Sequence, residues 1–194
     1  MKAKLCQRDA LVVVDMQRDF MPGGALGVDG ADTIVERVNE YTRLFEKASL
    51  PVFFTRDWHP KTHISFKRNG GVWPEHCVIG SDGAAFDERL YIPSDNRFII
   101  SKGDSETFDA YSGFQGTTLK ALLQERGVNR VFICGVATDY CVKHTLLGAE
   151  NLGFRTVLLI DAVKGVDIKR GDSEAAVEQM LMRGSVLCSI DDLA

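Results

Sequence analysis

The stretch Ala10-Leu-Val-Val-Val14, followed directly by Asp15, decides the class of fold. A continuous apolar run, without the polar alternation of a half-exposed strand, is typical of a strand buried on both faces of a parallel sheet. Parallel strands need crossover connections, which are usually helices that cover the sheet. The stretch therefore predicts an α/β fold in which strands and helices alternate along the chain.

The rest of the sequence shows this alternation. Apolar runs predict further strands at residues 51–55, 98–100, 130–134, 155–160 and 186–187. Apolar residues at helical spacing predict helices at residues 32–48, 117–126, 138–151 and 172–183. Asp32 and Thr138 are expected to be the N-caps of the first and third of these helices. We expect one domain over residues 1–194, a three-layer sandwich with helices on both faces of a mostly parallel six-stranded sheet.

The composition excludes several classes of function. With 45% hydrophobic and 26% charged residues, the chain has the balance of a globular domain with a substantial core. Its net charge of -4 argues against a nucleic-acid partner, because affinity for a phosphate backbone comes from clustered Lys and Arg. No segment reaches the roughly 18 apolar residues that span a bilayer. The N-terminus also lacks the apolar run of a secretory signal, so we expect a cytoplasmic protein without a membrane partner.

The cysteines fit a reducing compartment. The chain has five of them, an odd number, without a Cys-x-x-Cys pair: Cys6, Cys77, Cys134, Cys141 and Cys188. Such a distribution argues against a disulfide framework. Each cysteine is by default a small buried hydrophobic residue, so a reactive one needs a special environment.

Chemically useful side chains follow the predicted strands. Asp15 ends the first strand, Asp57 lies just past the second and Lys102 just past the third, and Cys141 is in the first turn of the helix after the fourth. Ligands of open parallel sheets bind outside the carboxyl ends of the strands. We therefore expect these four side chains to meet at one edge of the sheet.

Cys141 is the residue with the strongest chemical implication. Unpaired N–H groups and the positive end of a helix dipole favour a thiolate, so its position predicts a lowered pKa. Lys102 would add a positive charge, and Asp15 could take the thiol proton if burial raises the carboxyl pKa. A buried structural thiol and a redox-sensing thiol are the alternative interpretations.

A second group of residues has the composition of a metal site. Asp57 and His59 lie close together, and His76 follows seventeen residues after His59. One carboxylate and two imidazoles form a site for zinc, iron or manganese that leaves coordination positions open, which suits catalysis. His63 is either a further ligand, a partner of one, or an exposed loop residue. A purely structural zinc site is the alternative, although such sites usually have four protein ligands.

Seven stretches together resemble a known family. They are Val14-Asp-Met-Gln-Arg-Asp-Phe20, Thr55-Arg-Asp-Trp-His-Pro60, His63-Ile-Ser-Phe66, Trp73-Pro-Glu-His-Cys-Val78, Ile100-Ser-Lys-Gly103, Tyr111-Ser-Gly-Phe114 and Cys134-Gly-Val-Ala-Thr-Asp-Tyr-Cys-Val142. Nearly from end to end, the sequence resembles the nicotinamidases of the isochorismatase-like cysteine hydrolase superfamily. Asp-x-His with a later Trp-Pro-x-His-Cys-Val separates metal-containing nicotinamidases from members that keep an Asp-Lys-Cys triad without metal. Arg18 departs from the pattern, since many relatives have Asn there.

The resemblance implies an activity and a set of catalytic groups. The activity would be hydrolysis of nicotinamide, and of its analogue pyrazinamide, to the acid and ammonia. Asp15, Lys102 and Cys141 would form the catalytic triad. A cis peptide would precede Ala137, and the N–H groups of Ala137 and Cys141 would form the oxyanion hole.

The resemblance also implies how metal and substrate are held. Asp57, His59 and His76 would bind one divalent ion, zinc in the first place, with iron and manganese as alternatives. Phe20 and Trp73 would lie on the two faces of the pyridine ring, with Ala137 also in contact with the substrate. The alternative interpretation of Phe20 is ordinary core packing.

Two other functions are compatible with these residues. One is a related cysteine amidohydrolase that acts on a carbamoyl or ureido substrate. The other belongs to a different class, a zinc-stabilised binding module without catalysis. The sequence leaves the oligomeric state open, a homo-oligomer included.

Overall fold

A sheet of six strands in the order β3-β2-β1-β4-β5-β6 forms the centre of the computed structural model, which describes residues 4–193. The strands are β1 (Asp9–Val14), β2 (Val52–Asp57), β3 (Arg97–Lys102), β4 (Arg130–Val136), β5 (Arg155–Lys164) and β6 (Val186–Cys188). All five pairings between neighbouring strands are parallel. The predicted α/β sheet is therefore confirmed, and it is parallel throughout.

Helices cover both faces of this sheet. They are α1 (Val35–Lys47), α2 (Leu119–Glu125), α3 (Lys143–Asn151) and α4 (Asp172–Met182). Leu11 and Val13 of β1 belong to the apolar core that α1 covers, whereas Val12 belongs to the core that contains residues of α2, α3 and α4. Because successive side chains of a strand point to opposite faces, the uninterrupted apolar run of β1 fills both cores.

The predicted cap at Asp32 is wrong. Asp32 lies inside a 3-10 turn, Ala31–Ile34, and α1 begins only at Val35. The turn starts at Gly30, whose φ is 73°, and the carbonyl of Gly30 accepts hydrogen bonds from both the N–H and the hydroxyl of Thr33. Thr33 thus closes the turn through Gly30, and the Asp32 side chain caps neither the turn nor α1.

The predicted cap at Thr138 is also wrong. Residues Thr138–Val142 form one wide π-helical turn that leads into α3, and Thr138 is its first residue. The carbonyl of Ala137 accepts hydrogen bonds from the N–H groups of Tyr140, at 3.0 Å, and Val142, at 3.1 Å. The turn is therefore closed by a backbone carbonyl rather than by the Thr138 hydroxyl, and Cys141 lies within it.

The region between β2 and β3 consists mainly of loops. It contains one short 3-10 turn, Lys67–Asn69, and two isolated parallel bridges, one between His59 and Val78 and one between Phe66 and Trp73. These bridges fold the loop back on itself, so that its histidines come to the carboxyl end of β2. None of the helices within residues 4–193 is long and apolar enough to cross a membrane.

Candidate active site

Lys102 is the centre of the charged groups at the carboxyl edge of the sheet. It is the last residue of β3 and is 1% exposed. Its Nζ donates hydrogen bonds to Oδ1 of Asp57, to the carbonyl of Ala110 at 3.2 Å and to Sγ of Cys141 at 3.3 Å. Because an ammonium group has three hydrogens, these contacts use all of its donors.

Asp15 faces the same ammonium group with one oxygen that receives no hydrogen bond. Its Oδ1 accepts a hydrogen bond of 2.6 Å from the hydroxyl of Thr55. Its Oδ2 forms an ion pair with Nζ of Lys102 at 2.9 Å but accepts no hydrogen bond from the residues that the structure describes, 4–193. Burial raises the pKa of Asp15, and Lys102 only partly opposes this effect. Asp15 therefore has the free oxygen and the raised pKa that a base needs.

The prediction of a lowered pKa for Cys141 is wrong. Burial raises the pKa of the Cys141 thiol well above its ordinary value, Lys102 partly offsets this, and Asp15 raises it further. The sulfur shares its surroundings with two carboxylates, since Sγ and one oxygen each of Asp15 and Asp57 lie within 4.8 Å of one another. The thiol is therefore neutral at rest and needs a base before it can act as a nucleophile.

Asp57, His59 and His76 come together beside Lys102. Oδ2 of Asp57 lies 3.6 Å from Nε2 of His59 and 3.9 Å from Nε2 of His76. The other ring nitrogen of each histidine, Nδ1, lies 2.8 Å from a backbone carbonyl, that of Gly103 for His59 and that of Pro74 for His76.

These contacts fit a divalent metal ion. A carbonyl oxygen can only accept a hydrogen bond, so each Nδ1 carries a proton, and in the neutral ring the lone pair that a metal ion needs is therefore on Nε2. One donor atom from each of the three residues lies within 4.8 Å of the others. A carboxylate oxygen and two imidazole nitrogens that converge in this way are a donor set for zinc, iron or manganese.

His63 does not join this donor set. Its ring stacks on that of His59, with the centroids 4.0 Å apart. Its Nδ1 lies 2.7 Å from the hydroxyl of Ser65, and its Nε2 lies 3.3 Å from the carbonyl of Phe108. Both ring nitrogens are thus engaged, and it is Ser65 that lines the neighbouring cavity.

A small cavity of about 40 Å³ opens onto these groups. Phe20, Trp73, Ala137 and Cys141, for which the resemblance implies contact with the substrate, all line it. The peptide bond between Val136 and Ala137 is cis, which is also in agreement. The cavity thus brings an aromatic pair, the thiol and the histidines to one place.

Sequence reasoning assigned no role to two tyrosines of this cavity. The indole Nε1 of Trp73 donates a hydrogen bond of 2.8 Å to the hydroxyl of Tyr111, and the edge of the Tyr140 ring packs against Trp73, with the centroids 5.2 Å apart. Tyr111 and Tyr140 hold the indole in place. Both lie in stretches that carry the resemblance, but their contact with Trp73 joins segments 38 residues apart or more, and no local pattern predicts it.

The fold and the site define a class of protein, a parallel α/β domain with a buried cysteine, lysine and aspartate next to a metal donor set. A family model described as the isochorismatase domain matches residues 9–192. The chain belongs to the isochorismatase family, and it is a hydrolase that acts on an amide.

Individual relatives cover nearly the whole chain. A nicotinamidase of Acinetobacter baylyi is 35% identical, over 95% of this chain and 94% of the relative. The structure of Pyrococcus horikoshii pyrazinamidase in complex with zinc is 50% identical, with a TM-score of 0.90, over 94% of this chain and 99% of that chain. A protein of L. infantum, solved in complex with nicotinate, is 35% identical, with a TM-score of 0.90, over 100% of this chain and 99% of that chain.

Proposed function

We propose that the protein hydrolyses nicotinamide to nicotinic acid and ammonia through a thioester on Cys141, and that it also accepts pyrazinamide. The observation that carries the proposal is the position of the Lys102 ammonium, which contacts Asp15, Asp57 and Cys141 at once. This contact joins a nucleophile and a base to a metal donor set. The nicotinamidase and pyrazinamidase names of similar proteins support the substrate.

The reaction would begin with a proton transfer from Cys141 to Asp15. Because Oδ2 of Asp15 accepts no hydrogen bond within the described residues, it is free to receive the thiol proton. Lys102 stabilises the thiolate through its contact of 3.3 Å with Sγ. The thiolate then forms a bond to the carboxamide carbon, and the carbonyl electrons move to the oxygen.

The oxygen of this tetrahedral intermediate would be stabilised by the N–H groups of Ala137 and Cys141. Donors of this kind contribute roughly 3–4 kcal/mol each to catalysis. As the intermediate collapses, its C–N bond breaks, and Asp15 returns the proton to the departing nitrogen. Ammonia leaves, and the acyl group stays on the sulfur as a thioester.

Hydrolysis of the thioester would use Asp15 a second time. Asp15 takes a proton from water as the water oxygen bonds to the acyl carbon. The C–S bond then breaks, nicotinic acid forms, and the sulfur regains its proton. The cycle returns Asp15, Lys102 and Cys141 to their starting protonation states.

Phe20 and Trp73 would hold the pyridine ring between them, which directs the carboxamide to Cys141. Asp57, His59 and His76 would hold one divalent cation, zinc in the first place with iron and manganese as alternatives, which supplies a Lewis acid for the ring nitrogen. An aromatic nitrogen heterocycle uses both features, whereas a carbamoyl or ureido group uses neither.

An ammonia-release assay tests the proposal. Nicotinamide, pyrazinamide and a carbamoyl amine are compared at equal concentration, with zinc and after chelation. We expect rapid release from the two aromatic amides and little from the carbamoyl compound. Preferential release from the carbamoyl compound would support the alternative substrate class, and no release from any amide would support a binding module.

A further inference from the structure

Gln17 is a buried side chain to which the proposed reaction gives no role. It is 0% exposed and lies between Asp15 and Phe20 on the segment that follows β1. Its Nε2 donates hydrogen bonds to the carbonyls of Asp57, at 2.8 Å, and Ala84, at 2.9 Å, and its Oε1 accepts one of 2.7 Å from the N–H of Asp57. Both amide hydrogens and the amide oxygen are therefore engaged, so the orientation of this side chain is fixed.

The amide of Gln17 takes the place of a missing strand. The register between β1 and β2 ends at the pair Val13 and Phe54, and the last bond between these segments runs from the N–H of Asp15 to the carbonyl of Thr55. Beyond this point the chain turns away, and the edge of Asp57 that faces β1 has no strand beside it. Gln17 supplies the acceptor and the donor that a further strand residue would have supplied.

This contact fixes the direction of the Asp57 carboxylate. On one side Asp57 is held by Gln17, and on the other it is the register partner of Lys102 in β3. With its backbone fixed from both sides, Oδ1 points to Lys102, while Oδ2 stays 3.6 Å and 3.9 Å from the free nitrogens of His59 and His76. The bond from Gln17 to Ala84 also ties down the loop that carries the two histidines.

We infer that Gln17 is a positioning residue for the cation at Asp57, His59 and His76, and that it sets the affinity of this site by holding Asp57 in place. The inference rests on the proposed function only in that these three residues bind a divalent cation. Outer partners that orient metal ligands typically change metal affinity by about 10- to 100-fold when they are removed.

The chain offers a matched control for a merely structural role. Asn39 of α1 is also a buried amide, 2% exposed. Its Nδ2 donates to the carbonyl of Arg89 at 2.9 Å, and its Oδ1 accepts from the N–H of Tyr91 at 2.7 Å. Asn39 thus clamps a loop backbone in the same way, but Arg89 and Tyr91 are not among the residues that line the active-site cavity.

The test measures zinc binding and thermal unfolding, not turnover. Zinc dissociation constants are obtained by competition with a chelating dye for the wild type, Gln17→Met and Asn39→Leu, and Tm is measured without metal. We expect Gln17→Met to bind zinc at least about tenfold more weakly. Asn39→Leu should lower Tm but bind zinc as the wild type does.

Where Gln17→Met does not fold, Gln17→Glu carries the test with Asn39→Asp as its control. Glutamate keeps the acceptor for the N–H of Asp57 and loses both donors. Wild-type zinc affinity in both Gln17 variants, equal weakening by the Asn39 controls, or absence of zinc binding by the wild type would each overturn the inference. Failure of the wild type to hydrolyse nicotinamide, with zinc affinity still dependent on Gln17, would overturn the proposed function alone.

Discussion

Asp57 and Lys102 are register partners at the carboxyl ends of β2 and β3, and Lys102 donates a hydrogen bond to Oδ1 of Asp57. The other oxygen of the same carboxylate faces His59 and His76. A single carboxylate is therefore shared between the ammonium that contacts Cys141 and the donor set for a metal. The two halves of the site are coupled through this one residue, and several measurable consequences follow.

Replacing the sulfur should abolish catalysis without unfolding the protein. We expect Cys141→Ala to lower ammonia release from nicotinamide by at least about 1,000-fold, because the covalent route is lost. Cys134→Ala is the matched control, since Cys134 is likewise a buried cysteine, 0% exposed, but lies within β4. Turnover by Cys141→Ala at a rate close to that of Cys134→Ala would contradict a thioester mechanism.

Removing the central ammonium should destabilise the fold. Lys102→Met keeps most of the side-chain volume but leaves the carboxylates of Asp15 and Asp57 buried without their partner. Breaking a buried ion pair in this way costs about 3–5 kcal/mol in the free energy of unfolding. Urea unfolding at neutral pH, with metal absent, measures the change. Equal stability of the variant and the wild type would mean that Lys102 is not needed to stabilise the two buried carboxylates.

The metal donor set should contain His59 but not His63. We expect chelation to remove activity and added zinc to restore it. His59→Gln should bind zinc at least about tenfold more weakly, because a ligand is lost. His63→Gln should keep wild-type zinc affinity, since both nitrogens of His63 are engaged by Ser65 and Phe108. An equal loss of zinc affinity in both variants would indicate that His63 is also a ligand.

The indole of Trp73 should contribute to substrate binding. Loss of an aromatic stacking partner is worth about 0.5–1.5 kcal/mol, so Trp73→Ala should raise KM for nicotinamide by roughly 2- to 12-fold. The chain's second tryptophan, Trp58, packs against the guanidinium of Arg56, 3.7 Å from the ring centroid, and does not line the cavity. Trp58→Ala should leave KM unchanged. A larger rise in KM for Trp58→Ala than for Trp73→Ala would argue against a ring-binding role for Trp73.

Asp87 should make stability depend on pH in acid. Hydrogen bonds from Arg89, two of them from the guanidinium at 2.8 Å each, hold the pKa of Asp87 below its ordinary 3.8. In the unfolded chain this carboxyl takes up its proton at a higher pH than in the folded protein. Its contribution to the free energy of unfolding is therefore complete above the unfolded-state pKa and is lost as the pH falls through the folded-state pKa.

The variant Asp87→Asn isolates this contribution. At pH 7 it should unfold at a lower urea concentration than the wild type, and the difference should shrink as the pH is lowered below about 4. Urea midpoints measured from pH 7 down to acid provide the comparison. A difference that stays constant over this range would show that the ion pair with Arg89 adds nothing to stability.

Much of the fold follows from local patterns. The apolar side chains of β1 can all be buried only if the strand lies between two layers. Strands and helices alternate after it, and a parallel sheet is the simplest arrangement for that order. The same patterns place the strand ends correctly to within a few residues, and with them Asp15, Asp57 and Lys102. The starts of α1 and α3 were predicted wrongly, because the carbonyls of Gly30 and Ala137 close those turns, and sequence patterns do not show which backbone group will do so.

What the sequence by itself determined is therefore the α/β class, the edge of the sheet where the site lies, and the residue types that meet there. Only the tertiary structure decided that the pKa of Cys141 is raised, that both nitrogens of His63 are engaged, and that Gln17 holds the backbone of Asp57. The physical reason is the separation along the chain over which each effect acts. Periodicity and strand order act over neighbouring residues, whereas burial, charge and side-chain hydrogen bonds depend on groups that are distant in the chain and meet only after folding.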